Sequence, residues 1–119
     1  MNYMRLLIVV LFLFVISPVS AETVRFLQSI PELPLPQGAS ENMDAAVLFD
    51  APNGRFVQVE LQLQGIDSTS VISYYQALLP SLGWQEIENN EFLKGNERLK
   101  VFPSDSDKEN RIMILLEPR

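Results

Sequence analysis

The chain of 119 residues has no cysteine and no histidine. Their absence removes disulfides, thiolate and imidazole nucleophiles and bases, the usual transition-metal ligands, and the lipid-bearing cysteine of a lipoprotein. Basic side chains are also scarce, with 9 Lys and Arg against 15 Asp and Glu, a net charge of −6. An acidic surface repels phosphate backbones and anionic lipid head groups, and basic patches interleaved with aromatics are missing, which argues against a nucleic-acid partner. Long apolar runs are lacking too. The longest, Leu6 to Ile16, has 11 residues, and at 1.5 Å per helical residue it covers roughly 16 Å of the ~30 Å hydrocarbon core a spanning helix must cross.

What is present at the N-terminus fits an export signal. A positive start at Arg5 precedes the apolar run, Ser17 and Pro18 interrupt it, and Val19-Ser20-Ala21 supplies small residues at the −3 and −1 positions of a signal-peptidase site. Residues 1–21 are therefore expected to be a signal peptide cleaved at Ala21; the alternative is a retained N-terminal anchor. Cleavage leaves 8 basic against 15 acidic side chains, a net charge of −7, on a chain long enough for one small domain. The expected location is periplasmic or secreted, without stable membrane insertion after cleavage.

Residues 22–43 are expected to form an N-terminal arm and a proline-rich extended segment. Pro31, Pro34 and Pro36 fix φ and remove backbone donors, so the stretch is extended, with Leu33 and Leu35 either tucked against the domain or offered as a docking peptide. Residues 44–119 are expected to be a single α+β domain. Ala45–Asp50 and Arg55–Gln64 flank the turn sequence Asn53-Gly54 and read as a hairpin. In its second strand Val57, Val59, Leu61 and Leu63 alternate with polar residues, giving one buried face. A helix is expected from Asp67 or Ser68 to about Leu82, with Val71, Tyr75, Leu78 and Leu82 as its apolar stripe. Pro80 should bend it or tighten its last turn, and Gly83 should provide a left-handed cap with Trp84 folded onto Leu79. Trp84–Glu88, Glu91–Lys94 and Arg98–Phe102 read as short strands. Ser104–Asn110 reads as a charged loop and Arg111–Leu116 as a strand apolar on both faces, suited to a central or helix-covered position. Together these predict one amphipathic helix packed on an antiparallel sheet of five or six strands, in the order β-β-α-β-β-β-β and a helix-grip-like two-layer form.

Chemistry-bearing patterns are thin. Asp105, Asp107 and Glu109 open like an EF-hand loop, but Asn110 stands where the turn glycine belongs and Leu116 where the bidentate acid belongs. No specific metal, no cofactor and no catalytic residue is expected. Arg55 and Arg98 follow turns and lie near Asp50 and Glu97 in sequence. They are either salt-bridge partners of those acids or contacts for an anion or carboxylate.

Three segments together, Phe49–Arg55 (FDAPNGR), Tyr74–Trp84 (YYQALLPSLGW) and Gly95–Leu99 (GNERL), resemble a group of small exported bacterial proteins of unknown function whose helix ends in Tyr-x3-Leu-Pro-x-Leu-Gly-Trp. The resemblance runs roughly from Ile30 to the C-terminus and implies the fold, with no functional residue to carry over. A fainter similarity links the Gly-Trp helix end to the helix-grip domains of the outer-membrane assembly lipoprotein, from which the missing cysteine departs.

The reading that follows is a non-enzymatic periplasmic domain that binds another envelope protein or a peptide through the sheet face, a free edge strand, or Leu33–Gln37. The alternative is a small-molecule or lipid carrier with an apolar pocket between helix and sheet. Arg55, Arg98, Leu33, Leu35, Tyr75 and Trp84 are the candidate binding residues. Intact-mass analysis of the exported protein checks the first step: the expected mass begins at Glu22, and a mass retaining Met1 would instead indicate the anchored form.

Overall fold

The computed structural model describes residues 24–119; the expected signal peptide lies outside them. The elements in chain order are β1 (Arg25–Phe26), β2 (Pro34–Leu35), β3 (Ala39–Glu41), a 3-10 turn (Met43–Ala45), β4 (Val47–Ala51), β5 (Gly54–Leu63) and helix α1 (Ser68–Leu78). A second 3-10 turn (Leu79–Leu82), β6 (Gln85–Glu88), β7 (Glu91–Lys94), β8 (Glu97–Ser104) and β9 (Asp107–Pro118) complete the chain. β1 and β2 pair as a small antiparallel ribbon. The rest form one sheet of seven strands in the order β3-β5-β9-β8-β7-β6, with β4 also on β5. All its pairings are antiparallel.

The strand count therefore exceeds the expected five or six. The extra strand arises because β3 and β4 share one edge of β5: Ala39–Glu41 pair with Leu61–Leu63, and Val47–Ala51 with Gly54–Gln58. The 3-10 turn at Met43–Ala45 separates them. The predicted hairpin is present, closing on Ala51 opposite Gly54. The charged loop is shorter than expected, since the chain turns at Asp105–Ser106 and Asp107 already pairs with Ser104. The register then jumps, leaving Lys108–Arg111 unmatched on β8, as suits a strand holding Pro103, which has no amide to donate.

The core lies on one face of the sheet. Val57, Val59 and Leu61 of β5, Leu99 and Val101 of β8, Phe92 of β7 and Ile112, Ile114 and Leu116 of β9 are all buried there. β9 sits between β5 and β8, the central position that its two apolar faces suggested; Met113 and Leu115 on its other face are half-buried. α1 lies over β8 and β9 and buries Val71 and Tyr75. Its start follows from Asp67, whose carboxylate accepts the Ser70 amide at 2.9 Å, a side-chain cap for an orphan donor. These hydrogen bonds from Ser70 hold the Asp67 carboxyl below its ordinary value.

The helix ends as Pro80 dictates. α-helical geometry stops at Leu78, and Leu79–Leu82 tighten into a 3-10 turn, because Pro80 has no amide for the preceding carbonyl. Gly83 then takes φ 96°. Its amide donates to Pro80 O at 3.1 Å and the Trp84 amide to Leu79 O at 3.1 Å, the paired bonds of a Schellman end. The Lys94 ammonium donates to the Leu82 carbonyl at 2.9 Å and lies 5.9 Å from the Trp84 ring centre. It answers the negative end of the helix from the neighbouring strand.

A helix about 10 Å wide spans roughly two strands spaced ~4.8 Å apart, so α1 leaves the β5 side of the core uncovered. The N-terminal arm covers it. Leu27, Ile30 and Leu33 are buried in the same core cluster as the sheet and helix residues, and burying an aliphatic side chain of this size stabilises by roughly 1.5–3 kcal/mol. The Leu27 amide donates to Leu33 O at 2.9 Å and the Leu33 amide to Ile30 O at 3.0 Å. The arm set apart by sequence at 22–43 is thus, from Val24 onward, an integral layer, and its Ala39–Glu41 lie within the main sheet.

Two glycines with positive φ divide the architecture into strict and tolerant joints. At Gly38 (φ 90°) a Cβ would stand 2.6 Å from Ile66 Cγ2 and 2.9 Å from the Gln64 carbonyl oxygen; at Gly83 it would meet only the flexible Lys94 side chain, at 3.2 Å. Gly83→Ala is expected to cost about 1 kcal/mol, and Gly38→Ala about 2 kcal/mol or more, because strain and a backbone clash add. Denaturant midpoints of the two variants check the order, and equal losses would overturn it.

Candidate functional site

The six residues singled out by sequence do not converge. Leu33 and Tyr75 are fully buried and Trp84 nearly so. The Tyr75 hydroxyl donates to the Pro34 carbonyl at 2.6 Å, joining helix to arm, and its ring meets Tyr74 edge-on at 5.2 Å. Burial pushes the Tyr75 hydroxyl well above its ordinary range, with the neighbouring Tyr74 and Glu41 acting in the same direction, so it stays a proton donor. Leu35 is half-buried against the core. Leu33, Tyr75 and Trp84 are thus taken up inside this chain rather than offered at its surface, while Leu35 keeps one side open. The segment Leu33–Gln37 is not a free docking peptide, because its leucines are taken up by this chain's own core.

Arg55 is a clamp. Its guanidinium donates to both Glu97 oxygens, at 2.8 and 3.1 Å, and to Glu32 on the arm. The expected pairing with Asp50 does not form. Arg55 is opposite Asp50 in the register, but Glu97 on β8 and Glu32 on the arm lie on the same helix-side face and offer a two-toothed contact. Hydrogen bonds from Glu97 and Glu32 raise the Arg55 pKa further above its already high value. Burial would raise the Glu32 carboxyl, but the Arg55 hydrogen bond and the charges of Arg55 and Lys94 outweigh it and hold the group below its ordinary value. Nor does Arg98 pair with Glu97. It is half-buried on the other sheet face and makes no ion pair among the described residues. Its Nε is buried without a hydrogen-bond partner.

The feature that stands out is β4. Among the described residues it pairs with β5 on one side only, and Val47, Leu48 and Phe49 are 43, 54 and 54% exposed. A two-residue hairpin closing on Ala51 and Gly54 makes that pair a hydrogen-bonded one, and alternation then turns the Val47 and Phe49 backbone inward and the Leu48 and Asp50 backbone outward. The same parity appears further along β5, where the Asn42 amide donates to Glu60 O at 2.9 Å and the Gln64 amide to Gly38 O at 2.7 Å. On the outer face Phe49 stacks on Phe56 with ring centres 4.9 Å apart, beside exposed Val47. The one sequence signal for this edge was three successive apolar residues, Val47 to Phe49, in a strand that needs only one apolar face.

Open recesses lie along the arm. One of them, about 790 Å³, is bordered by Arg25, Leu35, Gly38, Ile66 and Tyr74. It lies outside the layer between helix and sheet, which Val71, Tyr75, Leu79, Val101, Ile112 and Ile114 fill at 0–1% exposure. Among the described residues no three acidic side chains gather as a metal site would need. Asp107 instead accepts the Asn110 amide at 3.2 Å, and Asp105 sits on the turn. No described helix is long and apolar enough to cross a membrane.

The Arg55 clamp generates a pH prediction. Because the Glu32 carboxyl is held below its ordinary 4.5, its contribution is fully present above that value and is lost as pH falls through the lower, folded-state value. Glu32→Gln should cost up to about 1 kcal/mol near neutrality, as befits a partly exposed pair. The difference between wild type and variant should shrink as pH falls below the ordinary carboxylate range and through the lowered folded-state value. Chemical denaturation at a series of pH values measures it, and a pH-independent difference would separate Glu32 from the clamp.

No protein family, curated protein or solved structure matches this chain.

Proposed function

We propose that the protein is a non-catalytic binding module of the cell envelope, exported by its N-terminal segment, which takes an extended stretch of a partner protein along the free edge of β4. The observation that carries this reading is the exposure of Val47, Leu48 and Phe49 on a strand whose outer side no described residue pairs with. Edge strands are ordinarily blunted by charge, proline or cover because their unpaired amides and carbonyls invite another strand. Here Val47, Leu48 and Phe49 are exposed beside a single charge, Asp50, and the edge supplies both backbone pairing and side-chain surface, the two ingredients of strand addition.

The filled layer between α1 and the sheet supports this reading over a carrier, which would need an enclosed apolar chamber there. One α-helix among the described residues, lying across an antiparallel sheet, is compatible with a helix-grip-like form and with kinship to the small exported proteins that the Tyr-x3-Leu-Pro-x-Leu-Gly-Trp helix end resembles. An enzyme would have to work without histidine or cysteine.

A photo-crosslinking amino acid at Leu48, with a control at Asp105 on the β8–β9 turn, tests the proposal in intact envelopes. The expected result is a polypeptide adduct from position 48 alone. Adducts from neither position, or equally from both, would overturn the edge reading, and stoichiometric lipid in an organic extract of the purified protein would favour the carrier.

A further inference from the structure

Charges around β4 say what kind of strand its edge accepts, an inference that rests on the edge-binding reading. From Ala39 to Gly54 the chain carries Glu41, Asp44 and Asp50 and no basic residue. Glu41 is occupied, accepting the Gln28 amide at 2.7 Å and the Ser29 amide at 3.0 Å. Asp50 is not. The only cation opposite it, Arg55, is held by Glu97 and Glu32, and Asp50 joins no ion pair among the described residues.

Asp50 and Leu48 are also the β4 residues whose backbone groups face outward, and their side chains stand on the helix-side face, in line with buried Val57. A recess of about 240 Å³ lies there, bordered by Ser29, Leu48, Asp50, Arg55 and Val57. Ser29 itself is buried, and its hydroxyl has no hydrogen-bond partner among the described residues. A strand added to β4 would alternate its side chains between two environments. One is this recess, with an aliphatic floor and an unpaired carboxylate; the other is the stacked pair Phe49 and Phe56 on the opposite face.

We infer that the segment bound along β4 is basic and alternating, with lysine or arginine at the positions facing Asp50 and apolar residues at the positions over Phe49. A long basic side chain suits the recess because its methylene stem covers Leu48 while its cationic head reaches the Asp50 carboxylate. The net charge of −6 also draws a cationic segment from a distance. A second copy fits less well, since it would bring its own Asp44 and Asp50 to the same edge.

Blocked synthetic peptides of alternating lysine and valine provide the test, alongside versions with glutamine or glutamate for lysine and a lysine version N-methylated on alternate amides. Binding to the mature folded protein is followed by NMR titration. The lysine peptide is expected to bind about fivefold more tightly than the glutamine peptide at low salt, the range of one exposed ion pair, and more tightly still than the glutamate peptide. Asp50→Asn, with an unchanged melting temperature, should bring lysine and glutamine peptides level, as should about 0.5 M salt. N-methylation should abolish binding.

Equal binding of the lysine and glutamine peptides, with the N-methylated one inactive, would overturn the basic preference and leave the edge reading standing. Absence of binding by every peptide, or undiminished binding of the N-methylated one, would overturn both. A concentration-dependent dimer that Leu48→Lys dissolves would name a second copy as the occupant and overturn the inference.

Discussion

The structure depends on how one face of a wide sheet is kept dry with little material to cover it. The only α-helix among the described residues has 11 residues and lies over β8 and β9, yet the apolar face continues across β5, where Val57, Val59 and Leu61 need cover as much as Ile112 and Ile114 do. The arm completes the layer with Leu27, Ile30 and Leu33. Ahead of β3 the arm has no regular secondary structure beyond the β1–β2 ribbon, and that part must be pinned by other means. The Tyr75 hydroxyl holds the Pro34 carbonyl, the Glu41 carboxylate takes the Gln28 and Ser29 amides, and Arg55 holds Glu32. Each pin joins the arm to a different element: the helix, β3 and β5.

The same economy accounts for the edge. The arm and the Arg55 clamp use up the polar groups near the start of β5, drawing Arg55 away from Asp50 and onto Glu32 and Glu97. Asp50 is thereby left free at a strand whose outward backbone is also unpaired. Fold stability and the proposed binding surface are thus coupled through one guanidinium. It contributes modestly, because the pair is partly exposed and screened, but it decides which carboxylate remains available.

Buried aromatic and aliphatic residues near the N-terminus show how a binding motif and a structural one can look alike in sequence. Three closely spaced prolines bearing Leu33 and Leu35 have the form of a docking peptide, and such peptides bind by burying leucines in an apolar groove. Here the groove belongs to the same chain, and the extended conformation set by Pro31, Pro34 and Pro36 delivers Leu33 to full burial. Tyr75 and Trp84 likewise point inward, one to bond the arm and the other to close the helix end.

Local features of this chain were determined by the sequence itself. Asn53-Gly54 required a turn, the period-two pattern of Val57 to Leu63 required a one-sided strand, Asp67 began the helix, Pro80 tightened its last turn and Gly83 ended it. Each rests on backbone chemistry acting within a few residues. Tertiary structure alone decided that β3 and β4 share an edge, that β9 inserts between β5 and β8, that the arm is core, and that Arg55 reaches Glu97, 42 positions away, rather than its neighbour across the hairpin. These outcomes depend on which distant apolar faces must be covered and which charges they bring together, and no local pattern encodes that distance.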